Sequence, residues 1–159
     1  MILPGHLAIA IFAHKVTGAD LRTLLAATLA PDMADKSLAQ VAHVAPSGRY
    51  AMHTALSWLI SSLVVLLAAG KRHASAWALG YLGHMLGDGL QVPFWLPFRR
   101  YDFGQVMELD DFLYGVISSA EGRRNLLLEM VLLALALLMP SMAKQESGLS
   151  CNGANSSAK

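Results

Sequence analysis

Cysteine is nearly absent from this chain. Cys151 is the sole thiol and stands in a polar C-terminal stretch, which excludes a disulfide framework and any cysteine-built metal site. Charge is scarce too: charged residues are 14% of the 159 positions, against about 25% in a soluble domain. The formal net charge is +1, so no basic surface argues for direct nucleic-acid binding. The opening Met1-Ile2-Leu3-Pro4-Gly5-His6 lacks a basic n-region and a cleavage site, and does not read as a signal peptide. Strand-period alternation and internal repeats are missing as well. What fills the space is apolar: 55% hydrophobic residues and a mean hydropathy of +0.46. This balance predicts an all-α protein with the lipid bilayer as a partner.

Turn and helix signals divide the chain. Leu3 to Ala13 reads as a short helix with Pro4 in its first turn. Lys15 to Asp20 is a turn, in which Gly18 ends one helix and Asp20 caps the next. Leu21 to Ala30 is a second helix, stopped by Pro31. Asp32 to Met52 is a more polar connection with a turn at Pro46-Ser47-Gly48. A third helix is expected from Tyr50 to Ala69, ending at Gly70, and a fourth from Ser75 to Leu90. Phe94, Trp95 and Phe98, backed by Arg99 and Arg100, resemble an interfacial aromatic cluster. Tyr101 to Gly122 holds a short helix capped by Asp110 or Asp111, and Leu126 to Met142 is an apolar run broken only by Glu129. The expectation is a membrane-embedded up-down bundle of about four core helices plus a C-terminal apolar helix. Residues 1–143 form that single domain, and 144–159 a disordered polar tail.

The most informative stretch is Gly80-Tyr81-Leu82-Gly83-His84-Met85-Leu86-Gly87-Asp88. His84 and Asp88 lie four residues apart, which stacks them on one helix face. Taken alone, such a pair can simply satisfy itself inside a bundle. The other polar outliers change the picture. His6 starts the first helix, Asp32 and Asp35 follow the second, and Arg49 and His53 precede the third. Up-down alternation brings all of these to one pole with His84 and Asp88. His14, His43 and His73 sit beside turns and read as caps or interfacial residues.

Imidazole and carboxylate without thiolate is the donor set of hard or borderline divalent metals, zinc foremost. The metal candidates are His6, Asp32, His53, His84 and Asp88. Asp35 is either a further ligand or a proton acceptor, and Arg49 suits an anion.

These residues form an ordered series: Pro4-Gly5-His6, Pro31-Asp32-x-x-Asp35, Arg49-x-x-x-His53-Thr54, and Gly80-Tyr81-x-x-His84-x-x-x-Asp88 before Trp95-Leu96-Pro97-Phe98. The series, over roughly residues 4 to 100, resembles the membrane-bound metal-dependent hydrolases described as LexA-binding and inner-membrane-associated. The resemblance implies a multi-pass protein of the bacterial inner membrane, a metal-dependent hydrolase site on those motif residues, and LexA as a partner. One departure stands out: the family's His-Arg-x-x-x-His block begins with Gly48 here. The layout is more distantly similar to zinc phospholipase C and P1-nuclease-type helical bundles, which suggests a phosphoester or lipid-like ester as substrate. Two other readings stay open at this level: a non-catalytic partner-binding membrane protein, and a small ion-handling permease.

Overall fold

The computed structural model describes residues 2–89, 92–103 and 109–142. Among them are five α-helices and no strand: α1 Leu3–Thr17, α2 Leu21–Lys36, α3 Ala55–Gly87, α4 Leu109–Ser118 and α5 Ala120–Leu138. The tail at 144–159, Cys151 and the expected end of the fourth helix at Leu90 lie outside the described residues.

Local chemistry sets the first boundaries. α1 runs past Ala13 until Gly18 adopts a left-handed conformation (φ 69°) and donates its N–H to the His14 carbonyl. The Asp20 carboxylate accepts from the Thr23 amide at 2.8 Å and opens α2. α2 does not stop at Ala30. It continues through the buried Pro31 to Lys36, so Asp32 and Asp35 ride on its last turn rather than in a polar connection. A proline inside a helix costs about 3 kcal/mol. The extra turn offsets this by carrying Asp35 to hydrogen bonds with the Tyr50 and Met52 amides and with His53.

The expected third and fourth helices are the two halves of α3, which begins at Ala55 behind a Thr54–Ser57 capping box. Gly70, at φ 80° and ψ 177°, breaks the element, a conformation open to glycine and strained for other residues. The chain then doubles back. Trp58 donates through Nε1 to the Ala78 carbonyl, Trp77 to Ser61 Oγ, and the Tyr81 hydroxyl to the Met52 carbonyl. These pairings describe an antiparallel hairpin.

By length and composition α3 is the one helix among the described residues long and apolar enough to cross a membrane. Folded as a hairpin, each half extends only about 22–26 Å, short of a hydrocarbon core of about 30 Å. The first half exposes Leu59, Ile60, Leu63, Val64 and Leu67. An apolar face of that extent marks a lipid or partner contact rather than a solvated surface.

α5 starts at Ala120, six residues before the apolar run at Leu126, behind Ser119, whose hydroxyl accepts from the Gly122 amide. It lies parallel to α1, and the two helices cap each other. Glu129 of α5 accepts from the Ile2 and Gly5 amides at the start of α1. Lys15 of α1 donates to the Leu137 and Met139 carbonyls at the end of α5. A carboxylate at a helix N-terminus and an ammonium at a C-terminus both match the helix dipole. The single acid in the apolar run is thus a cap.

Small residues let the helices approach. Ala10, Leu24, Ala27 and Ala76 are fully buried between α1, α2 and the second half of α3. A Cβ on Gly80 would come within 2.7 Å of the Leu24 carbonyl oxygen and 3.0 Å of Ala27 Cβ, whereas one on Gly83 would meet only Ile9 Cγ2, at 2.7 Å. Backbone cannot yield as a side-chain tip can. Gly80→Ala is therefore expected to destabilise by about 1–3 kcal/mol, and Gly83→Ala by clearly less. Thermal unfolding of the two variants in detergent checks the order, and an unchanged midpoint for Gly80→Ala would refute the packing.

Candidate metal centre

The helix directions decide which polar side chains meet. α1 begins at one pole, α2 ends there, the α3 hairpin both starts and finishes there, and His6, Asp32, His53, His84 and Asp88 are carried by those ends. Nε2 of His53 and Nε2 of His84 are 3.0 Å apart. Asp32 Oδ1 and Asp88 Oδ2 each lie 3.5 Å from His53 Nε2 and 3.9 Å from His84 Nε2. One donor atom from each of these four residues falls within 4.8 Å of the others. His6 closes the group: its ring stacks on His84 with centroids 4.2 Å apart. His6 Nε2 is 3.6 Å from Asp32 and 3.7 Å from Asp88.

Asp35 and Arg49 stand apart from this set. Asp35, fully buried, sits behind His53 and accepts from its Nδ1 at 2.8 Å. It also accepts from the Tyr50 amide at 2.7 Å and the Met52 amide at 3.0 Å. Its oxygens are thereby engaged, and the ring is left with Nε2 directed at the cluster. Arg49 lies on the outer side, with Nε 2.8 Å from Asp88 Oδ2 and a side chain 34% exposed. His43 is exposed, at φ 52°, and takes no place in the cluster. His14 binds the Ala19 carbonyl and His73 the Thr23 hydroxyl, both beside turns.

The sequence reading passed over Lys36, whose Nζ is 2.6 Å from Asp32 Oδ2. The Asp32–Lys36 spacing of one helical turn was the available signal, hidden by the expectation that Pro31 ends the helix. Tyr81 appeared only as part of a motif. Buried and bonded to the Met52 carbonyl, it ties the segment before His53 to α3.

Electrostatics are those of a cation site. Burial alone would lower the His53 imidazole, but Asp32, Asp35 and Asp88 outweigh it and push it up to about 10. Burial would raise the Asp32 carboxyl, while His53 and the Lys36 ammonium hold it well below the usual carboxylate range. His53 is thereby favoured in its protonated form where several carboxylates meet. Among the described residues neither ring nitrogen of His6 has a hydrogen-bond partner, and Asp32 Oδ1 also lacks one. Buried polar atoms of that kind cost about 1–3 kcal/mol each. A divalent ion would offset this cost, and the nitrogen-and-oxygen donor set fits one.

Over residues 2–147 the chain matches a family described as YdjM inner membrane protein. No curated protein and no solved structure matches it.

Asp35→Asn tests the arrangement behind His53. The variant removes the charge that fixes the ring and is expected to weaken metal affinity about 10–100-fold while the helical circular dichroism is unchanged. Wild-type affinity in the folded variant would show that Asp35 does not orient His53.

Proposed function

Since the chain belongs to the YdjM inner membrane protein family, we propose that it is a membrane-bound, metal-dependent hydrolase with its centre at the His/Asp pole. One observation carries this reading. Three histidines and two aspartates from α1, α2 and both ends of the α3 hairpin converge in an otherwise apolar bundle, and the buried His6 ring has no hydrogen bond among the described residues.

His53, His84 and Asp88 supply the three protein ligands of a catalytic zinc site. His6 completes the shell or helps hold a second ion. When bound, a divalent metal supplies Lewis acidity toward an ester oxygen and lowers the pKa of water toward neutrality. The chain's own groups do the rest. Asp35, engaged behind His53, is a positioning residue rather than the proton acceptor. Asp32, 13% exposed at its side chain against 1% for Asp88, is the carboxylate that accepts the water's proton at Oδ1. Arg49 pairs with Asp88 through Nε at 2.8 Å, and its guanidinium orients an anionic ester. Transport is disfavoured: among the described residues the buried section between the helices away from the cluster is mainly Ala10, Leu24, Ala27 and Ala76, with the Thr28 and Ser62 hydroxyls as isolated polar groups. That is no polar path.

Metal analysis of detergent-purified protein tests the assignment. His84→Ala and Asp88→Ala are each expected to lose metal at least tenfold, because a catalytic site has few ligands to spare. Arg49→Ala should keep its metal and lose turnover of a phosphodiester. Equal metal content in the wild type and in the His84→Leu/Asp88→Leu double variant would leave a purely structural polar pair.

A further inference from the structure

Two clefts of different character flank the cluster and share Ile2: one is lined by Asp32 itself, the other by Arg49, whose Nε lies 2.8 Å from Asp88. The first, about 440 Å³, has walls from Leu3, Leu29, Met33, Val41 and Leu113, with Asp32 and Lys36 at its polar end. The second, about 610 Å³, carries Arg49, Ser119, Glu121 and Asn125. α4 serves both, giving Leu113 to the first and Gly115 and Val116 to the second. The α4–α5 elbow therefore divides a mainly apolar cleft, with Ser37 and Gln40 beside Asp32 and Lys36 at its polar end, from a mixed and more polar one that also has Val116 and Leu128 in its wall. Each volume is that of a small-molecule site.

The charges at the junction are as telling as the walls. Lys36 approaches the cluster from the apolar cleft and Arg49 from the polar one, each already beside a cluster carboxylate. An anion at the cluster faces a cation from either side, and an amphiphile matches the difference in character between the two clefts. Resting on the hydrolase reading above, we propose that the substrate is a single-chain phosphodiester amphiphile. Its alkyl chain lies along Leu29, Met33 and Leu113, its phosphoryl group at the cluster, and its polar alcohol in the Arg49 cleft. Hydrolysis adds one water across the P–O bond on the polar side. The water oxygen bonds to phosphorus, the ester oxygen leaves with one proton as the alcohol, and the second proton passes to Asp32. The alkyl phosphate stays in the apolar cleft.

The test is photolabelling of full-length protein in nanodiscs with decyl methyl phosphate bearing a diazirine at the chain end. Adducts are expected on α2 and α4 around Leu29, Met33 and Leu113. Excess unlabelled decyl methyl phosphate should abolish them and dimethyl phosphate should not. Met33→Glu/Leu113→Glu, both at exposed positions, should cut labelling at least fivefold with metal content unchanged. Adducts spread over the outer faces of α3 and α5, or labelling indifferent to the double substitution, would overturn the cleft assignment. Failure of the hydrolase reading has a different signature: specific cleft labelling in metal-loaded protein that cleaves no phosphodiester. Cleavage of bis-p-nitrophenyl phosphate with no cleft labelling and no preference for a chain would leave the hydrolase and sink the amphiphile.

Discussion

The carboxylate of Asp35 is the point on which the polar pole depends. It is fully buried, and it holds two unrelated parts of the chain: the last turn of α2 and the segment from Tyr50 to His53, whose Ala51–His53 form a short 3-10 turn. Hydrogen bonds to a charged group contribute about 1.5–3 kcal/mol each, enough to keep α2 helical beyond Pro31. Without that extra turn Asp32 would not face His53 and His84. Tyr81 secures the same segment from the other side through the Met52 carbonyl. His53 is thus held at the α2 end, at the hairpin and at its own Nδ1, which is why a single 3-10 turn can present a side chain as firmly as a long helix does.

A second constraint places His6. α1 is short, and its N-terminus carries amide groups that no intrahelical carbonyl can satisfy. In an apolar setting those amides need a partner from elsewhere in the chain. Glu129 provides it, more than a hundred residues away, and Lys15 returns the favour at the far end of α5. Reciprocal capping fixes the axial register of α1 against α5. That register sets the depth of the His6 ring against His84, one turn inside the cap.

Much of this was legible in the sequence, and the physical reason is contrast. In a chain with so few charges each buried histidine and aspartate is conspicuous, and helix starts and ends alternate in a way that sends them to one pole. His6, Asp32, His53, His84 and Asp88 are named by that logic, and they lie within a few ångströms of one another. Asp35 was visible but its engagement was not, because backbone amides as hydrogen-bond donors leave no trace in residue identity. The continuation of α2 past Pro31 was hidden for a related reason: local propensity disfavours it, and only tertiary bonds reverse the preference. Gly70 read correctly as a stop. That the two flanking helices form one hairpin depends on Trp58, Trp77 and Tyr81 reaching across it. The pairings of Arg49 with Asp88 and of Glu129 with α1 join distant segments, and no spacing rule encodes them.

The small-residue interior and the polar pole are linked by a single geometric requirement. Donor atoms must come within 3 to 4 Å of one another, yet they hang from helices whose usual axial separation is about 8–10 Å. Gly80 and Gly83 remove the side chains that would hold α3 off α2 and α1, and Ala8, Ala10, Ala27 and Ala76 fill what space is left. Close approach along the helices is thereby converted into convergence at their ends. The same close approach leaves little large apolar surface buried inside, and Leu59, Leu63, Leu67, Leu132 and Leu138 remain exposed on the outside. In water such a distribution costs free energy; against acyl chains it costs little. The lipid environment implied by the family is therefore what allows a bundle this thin to gather so many polar groups at one end.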